Sequence, residues 1–259
     1  MIARRTPEEI ERIRASCQIV YQVQQALEEA VAPGVTTLEL DRMAEELIRD
    51  EGAVPAFKGY HGFPASICAS VNTEIVHGFP RSQPLQEGDI VTIDVGVLLE
   101  GYYGDGAFTL GLEPLSSQCS HLLRETSRCL ELGIAQARPR GRLSDISHAV
   151  QTHAEANGLT VIRDFSGHGI GRALHEEPNV LNYGPPGKGP RLQPGFVLAI
   201  EPILGLGSDG VDTAADGWTT TTQDGSLAAH FEHTVAITEH GPEILTLPSQ
   251  RRAQVTASQ

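Results

Sequence analysis

The sequence predicts an α/β chain built from two similar halves, each a helix pair followed by strands, that meet at a shared centre. Three observations predict it. The order helix, helix, strands occurs twice along the chain. The segment LQEGDIVTID at 85–94 lines up with LQPGFVLAIE at 192–201. In both, an acidic residue closes an apolar strand, so Asp94 and Glu201 correspond at an offset of 201 − 94 = 107 residues. Acids donated from one strand position by two like halves would lie near a pseudo-twofold axis. His168 also finds a histidine, His61, at that offset.

The elements follow in order. Thr6-Pro7-Glu8-Glu9 predicts a helix start, with Thr6 as N-cap, Pro7 in the first turn and Glu9 reaching back. Ile10, Ile13, Cys17, Val20 and Leu27 follow at helical spacing until Pro33-Gly34. A second helix begins at Thr36 or Thr37, carries Leu40, Met43, Leu47 and Ile48 on one side, and stops at Gly52. From Ala65 to Leu112 the period changes to that of strands. Val91, Ile93, Val95, Val97 and Leu99 share one face, and Ile90, Thr92 and Asp94 the other. Helices are expected again at about 117–137 and 144–156, the latter closed by Gly158, and strands and loops continue to Leu247. The Pro/Gly-rich stretch 183–195 reads as a surface loop. One catalytic domain is expected over 1–248, with halves at about 1–112 and 113–248, followed by a flexible tail at 249–259.

Composition bounds the function. At 259 residues and 40% hydrophobic content the chain can bury a full core, and no stretch approaches the roughly 20 apolar residues of a membrane span. MIARRTPEEI has no apolar segment behind its basic residues, so it is not read as a secretory signal. Cys17, Cys68, Cys119 and Cys129 form no C-x-x-C pair, which favours reduced thiols and a cytoplasmic setting. A formal charge of −14 argues against direct nucleic-acid binding.

The chemistry lies in five side chains. Asp94 ends DIVTID, Asp105 sits in YYGDGAF, His168 in SGHGIG, Glu201 in VLAIEP and Glu232 in HFEHTV. A carboxylate at the end of an apolar strand is unfavourable to bury unless its charge is compensated. Repeated, it suggests a common positive centre. A turn at Leu99-Glu100 would set Asp94 opposite Asp105, and two such carboxylates repel unless a cation joins them. Four carboxylates and one imidazole suit one or two divalent ions, and a paired site activates water, so a metal-dependent hydrolase is expected. His77 and His175, taken alone, carry no role. No Walker sequence, H-E-x-x-H, G-x-S-x-G or dinucleotide fingerprint competes.

GYHGFPASICASVNTEIVHGFP (59–80), DIVTIDVG with YYGDGAFT (89–109), SGHGIGRALHEEP (166–178), LQPGFVLAIEP (192–202), DGWTT (216–220) and HFEHTVAITEHGPEILT (230–246) together resemble the type 1 methionine aminopeptidases, in their short bacterial form. The resemblance runs from the first helix to Leu247. It implies a pseudo-twofold "pita-bread" fold around a dinuclear centre. It also implies removal of N-terminal methionine before a small second residue, by attack of a metal-bridging hydroxide. Asp94 resembles the bidentate ligand of one metal, Asp105 and Glu232 the bridging carboxylates, and His168 and Glu201 the ligands completing the other shell. His77 resembles the histidine near the scissile amide, His175 the one that binds the substrate carbonyl and developing oxyanion, and Glu201 the proton shuttle.

Family positions also imply a methionine pocket of Phe57, Tyr60, His61, Phe63, Cys68, Leu174 and Trp218. Here the chain departs from the commoner pattern of Cys at Phe57, Tyr at Phe63 and Phe at Leu174, which bears on pocket shape rather than on the reaction. The resemblance implies two divalent ions, with Co, Mn, Fe or Zn equally compatible. It further implies a monomer acting in the cytoplasm on N-terminal Met peptides and nascent chains at the ribosome, without membrane contact. Proline-directed peptidases of the same superfamily share the ligand set but usually carry an extra N-terminal domain. Non-catalytic binding modules with this fold would have lost ligands, and none is missing here.

Overall fold

A computed structural model describes residues 2–248; the expected tail at 249–259 lies outside them. The first half comprises α1 (Pro7–Ala30), α2 (Thr37–Asp50), β1 (Val54–Pro55), β2 (Ile67–Val71), β3 (Glu74–Val76), β4 (Ile90–Leu99) and β5 (Tyr102–Gly111). The second begins with α3 (Ser117–Gln136), α4 (Leu143–Ala156), β6 (Thr160–Val161), β7 (Gly167–Gly169), β8 (Glu176–Val180) and β9 (Val197–Ile200). It ends with β10 (Ile203–Gly205), β11 (Val211–Thr213), β12 (Thr220–Thr222), β13 (Ala228–His230), β14 (His233–Thr238) and β15 (Gly241–Ile244).

Local chemistry sets the helix starts. Thr6 and Thr36 each accept from the backbone three residues on, while Glu9 and Glu39 return a carboxylate to the cap. Each helix pair then covers its own sheet. Val20, Val23, Leu27, Leu40 and Ile48 pack on Ile67, Val91, Ile93 and Val95 in the first half. Leu130, Ile134 and Ile146 pack on Leu198, Ile200 and Val235 in the second.

The repeat read in the sequence is visible in strand order. β4 lies between β5 and β2, and β9 lies between β14 and β7, all antiparallel. The fold is thus the pseudo-twofold α/β arrangement. The histidine correspondence fails. His168 pairs with Ala199 on β9, and the position 107 residues earlier on β4, Thr92, pairs with Ser70. His61 stands instead in an exposed 3-10 turn, so its match at that offset is coincidental.

The halves join along a seam between β5 and the segment 230–234. Glu232 donates its N–H to Ala107 O at 2.8 Å, and Ala107 N–H returns to Glu232 O at 3.4 Å. On either side threonine hydroxyls bridge the gap. Thr234 Oγ1 donates to Asp105 O at 2.8 Å and accepts from Asp105 N–H at 3.2 Å, and Thr109 Oγ1 does the same with His230 O and N–H at 2.7 and 3.0 Å. α1 closes over β5 from behind, with Ser16 Oγ donating to Tyr102 O at 2.9 Å. Gly104 makes this possible, because a Cβ there would stand 2.7 Å from Cys17 N and 2.9 Å from its Sγ. Gly104→Ala is therefore expected to destabilise the protein by about 1–3 kcal/mol, the usual cost of overpacking. Urea unfolding would show it as a lower midpoint at unchanged slope, and an unchanged midpoint would contradict the close approach.

Candidate metal centre and active site

Side chains from both halves converge on a cavity of about 350 Å³. Its wall includes all fourteen residues that the sequence singled out: Asp94, Asp105, His168, Glu201, Glu232, His77, His175, Phe57, Tyr60, His61, Phe63, Cys68, Leu174 and Trp218.

Asp94 and Asp105 reach it by a different register from the one expected. The hairpin turn is Glu100-Gly101, with φ of 48° and 82°, the doubly positive turn that matches strand twist. Asp94 therefore pairs with Ala107 and Asp105 with Gly96, which sets the two acids diagonally on one face rather than directly opposite. Gly96, directly opposite Asp105, leaves room for the Phe57 ring, which a Cβ there would meet at 2.5 Å. Glu201 follows the end of β9 and Glu232 precedes β14, each just where its strand pairing stops.

Ligand atoms of Asp105, His168 and Glu232, all three buried, lie within 4.8 Å of one another. His168 Nδ1 is 2.9 Å from Gly169 O, so Nδ1–H donates there and the Nε2 lone pair is left facing inward. That Nε2 stands 3.6 Å from Glu201 Oε1 and 3.9 Å from Asp105 Oδ2. Asp94 Oδ1 and Glu232 Oε1 are buried and find no hydrogen-bond partner among the described residues.

The electrostatics follow from crowding. Burial pushes the Asp94 carboxyl up to about 7. Burial together with neighbouring carboxylates raises Asp105, Glu201 and Glu232 well above the ordinary range. Burial also lowers His168 to about 3. Orphaned oxygens, mutual repulsion and an inward imidazole lone pair fit a divalent cation bound among them.

The apolar end of the cavity is aromatic. Phe63 meets Trp218 and Phe79 edge-on at 5.2 and 5.3 Å between centroids, and Phe57 at 6.5 Å. Phe57, Phe63, Cys68 and Leu174 are buried, while His61 stands exposed at the rim. His77, at φ 58°, holds a left-handed backbone that a histidine adopts only under constraint, and its ring faces Trp218 and Phe165. His175 lies at the mouth, its ring 4.4 Å from that of His168, with Nδ1 2.8 Å from the Tyr60 hydroxyl.

Four wall residues were not singled out by the sequence, Val76, Phe165, Ser166 and His230, and of these His230 bears on the chemistry. His230, buried, has Nε2 3.6 Å from Glu201 Oε2, and neither ring nitrogen is hydrogen-bonded among the described residues. Its signal was present in HFEH, where two histidines bracket Glu232. Of the two, His233 turns away to Thr246 Oγ1 at 2.8 Å.

Residues 11–239 match the model of metallopeptidase family M24. A methionine aminopeptidase of Clostridium perfringens is 51% identical over 247 residues, covering 95% of this chain and 99% of the relative. Methionine aminopeptidase 1 of Bacillus subtilis is 50% identical over 246 residues, covering 95% and 99%. The crystal structure of methionine aminopeptidase from Rickettsia prowazekii superposes with a TM-score of 0.94 at 39% identity, over 95% of this chain and 100% of that one. A prolidase from Pyrococcus furiosus, at 23% identity and a TM-score of 0.76, shares the fold, and the match covers 66% of its chain.

A pH dependence follows for the metal-free protein. Asp94, Asp105, Glu201 and Glu232 bind protons more tightly folded than unfolded. His77, His168, His175, His230 and His233 bind them less tightly. Below about pH 6.5 the two sets oppose each other. Above it unfolded histidines are already neutral, and only the acids act. An acid with a raised folded pKa favours the fold while protonated and ceases to do so as pH rises through that pKa. Melting temperature of chelator-treated protein is thus expected to fall between about pH 6.5 and 8, by roughly 2–4 °C per kcal/mol lost, and added Mn(II) should abolish the slope. A flat profile without metal would contradict the crowding.

Proposed function

Because the chain belongs to metallopeptidase family M24, in the company of methionine aminopeptidases about half identical to it over nearly their whole length, we propose in detail how it removes N-terminal methionine from peptides and nascent chains. Residues 1–248 act as one catalytic domain. Asp94, Asp105, His168, Glu201 and Glu232 hold two divalent ions, for which Mn, Fe, Co and Zn all suit the donor set. Bound there, the ions supply Lewis-acid polarisation of a carbonyl and lower the pKa of a coordinated water.

The remaining chemistry belongs to the chain. Phe57, Tyr60, His61, Phe63, Cys68, Leu174 and Trp218 form the methionine pocket, whose aromatic edges suit a thioether. His77, at the inner end of that wall, hydrogen-bonds the substrate beside the scissile amide. Glu201 takes the proton of the attacking water and returns it to the leaving amine. Burial and the neighbouring His61 lower the pKa of His175, so the ring is neutral and carries one proton. With the Tyr60 hydroxyl donating to Nδ1, that proton sits on Nε2 and points at the substrate carbonyl. His175 then stabilises the tetrahedral oxyanion.

The observation that carries this reading is the convergence of five metal-ligand residues with an aromatic pocket in one cavity. The enzyme is further proposed to act as a cytoplasmic monomer on chains leaving the ribosome, favouring a small second residue. Its net charge of −14 supports action without nucleic-acid contact of its own.

Metal-stripped protein with added Mn(II) or Co(II) is expected to release methionine from Met-Ala-Ser and to leave Ala-Pro-Ser intact. Cleavage of the proline peptide instead would transfer the chain to the proline-directed branch. His175→Ala should lower kcat by about 10²–10³, the loss typical of an oxyanion donor. Tyr60→Phe, which keeps the ring and removes the donor, should lower kcat with little change in KM. Wild-type rates in Tyr60→Phe would remove the hydroxyl from the mechanism.

A further inference from the structure

Two charged side chains outside the metal centre are enclosed by protein and paired with each other: Arg5, 8% exposed, and Glu176, 18% exposed. They lie 171 residues apart in sequence. The N-terminal arm that carries Arg5 runs along the 194–195 backbone, with Arg5 N–H donating to Gly195 O at 2.7 Å and Arg4 Nε–H to Pro194 O at 3.2 Å. The Arg5 guanidinium then lies directly against Gly171. A Cβ there would stand 2.5–2.7 Å from three of its atoms.

Glu176 uses both carboxylate oxygens. Oε2 receives Arg5, and Oε1 accepts N–H groups from Arg172 at 2.8 Å and Ala173 at 3.0 Å. The loop 172–175 is thereby folded back onto the residue that ends it. This closure puts Leu174 in the pocket wall, 1% exposed, and His175 at the mouth. Beyond that loop, the side chain of His175 is held among the described residues by a single hydrogen bond, to Tyr60.

We propose that Arg5 is a positioning residue for His175: through Glu176 it fixes the 172–175 loop and so the direction in which the imidazole is presented to substrate. The proposal rests on the role given to His175 above. Arginine suits the task because its charge is permanent and its fork matches a carboxylate. Without it, Glu176 keeps an enclosed charge uncompensated, and the loop gains reason to move.

The test uses the full chain loaded with Mn(II), the substrate Met-Ala-Ser, and four variants: Arg5→Ala, Arg5→Lys, His175→Ala and the double variant Arg5→Ala/His175→Ala. Arg5→Ala is expected to lower kcat by about 10–100-fold with KM changed less than about threefold, as misplacement of a reacting group does. Arg5→Lys should recover part of the loss. In the His175→Ala background the same change should cost nothing more. A readout independent of turnover is the ring nitrogen signals of His175 in the metal-free protein. These should shift or broaden in Arg5→Ala while those of His230 hold. Unmoved His175 signals, or an equal loss of rate in the His175→Ala background, would overturn the proposal. Wild-type rates in His175→Ala would overturn the oxyanion role instead, and the ring signals alone would then decide the positioning.

Discussion

Asp94, Asp105, Glu201 and Glu232 are gathered where the protein largely excludes water, and without a cation among them their repulsion opposes the packing that brings them together. Much of the surrounding architecture resists that repulsion. Threonine hydroxyls from β5 and β14 stitch the two halves on either side of the Ala107–Glu232 pair. α1 lies flush on β5 only because Gly104 has no side chain. The aromatic wall excludes solvent from one side, which strengthens every charge interaction inside. Stability and chemistry thus draw on one feature. The crowding that destabilises an empty centre is what gives it affinity for a cation.

How much of this could be read from the sequence depends on the range of the signal. Asp94, Glu201 and Glu232 were legible because each borders an apolar run in the sequence, where an unpaired carboxylate is out of place. The repeat was legible because Leu-Gln-x-Gly recurs before both strands. Helix starts were legible because a capping box is a local device, satisfied within three residues. Register was not, since moving the turn from Leu99-Glu100 to Glu100-Gly101 changes no residue type, only which φ values are positive. The His61 correspondence misled because an offset in sequence equals an offset in space only where strands pair in the same way.

His230 and Arg5 mark a further limit. A histidine beside a carboxylate is common, and nothing local in HFEH says which of its two rings turns inward. Arg5 meets its partner across 171 residues, and no pattern around either one announces the other. Contacts of this kind belong to tertiary closure, where the chemistry of an arm and that of a distant loop become one structure. The departures at Phe57, Phe63 and Leu174 are of another type. All three are buried at the cavity wall, so they alter the shape offered to a side chain and leave the ligand set untouched.

The seam between β5 and the 230–234 segment has a consequence in time. Glu232 enters the chain only after Phe231, long after Asp94 and Asp105 have left the synthesising machinery. Until then the first half presents two acids on an open sheet face, with neither Glu232 nor the strand that covers them. The cluster of candidate ligands is therefore incomplete until most of the chain has been made.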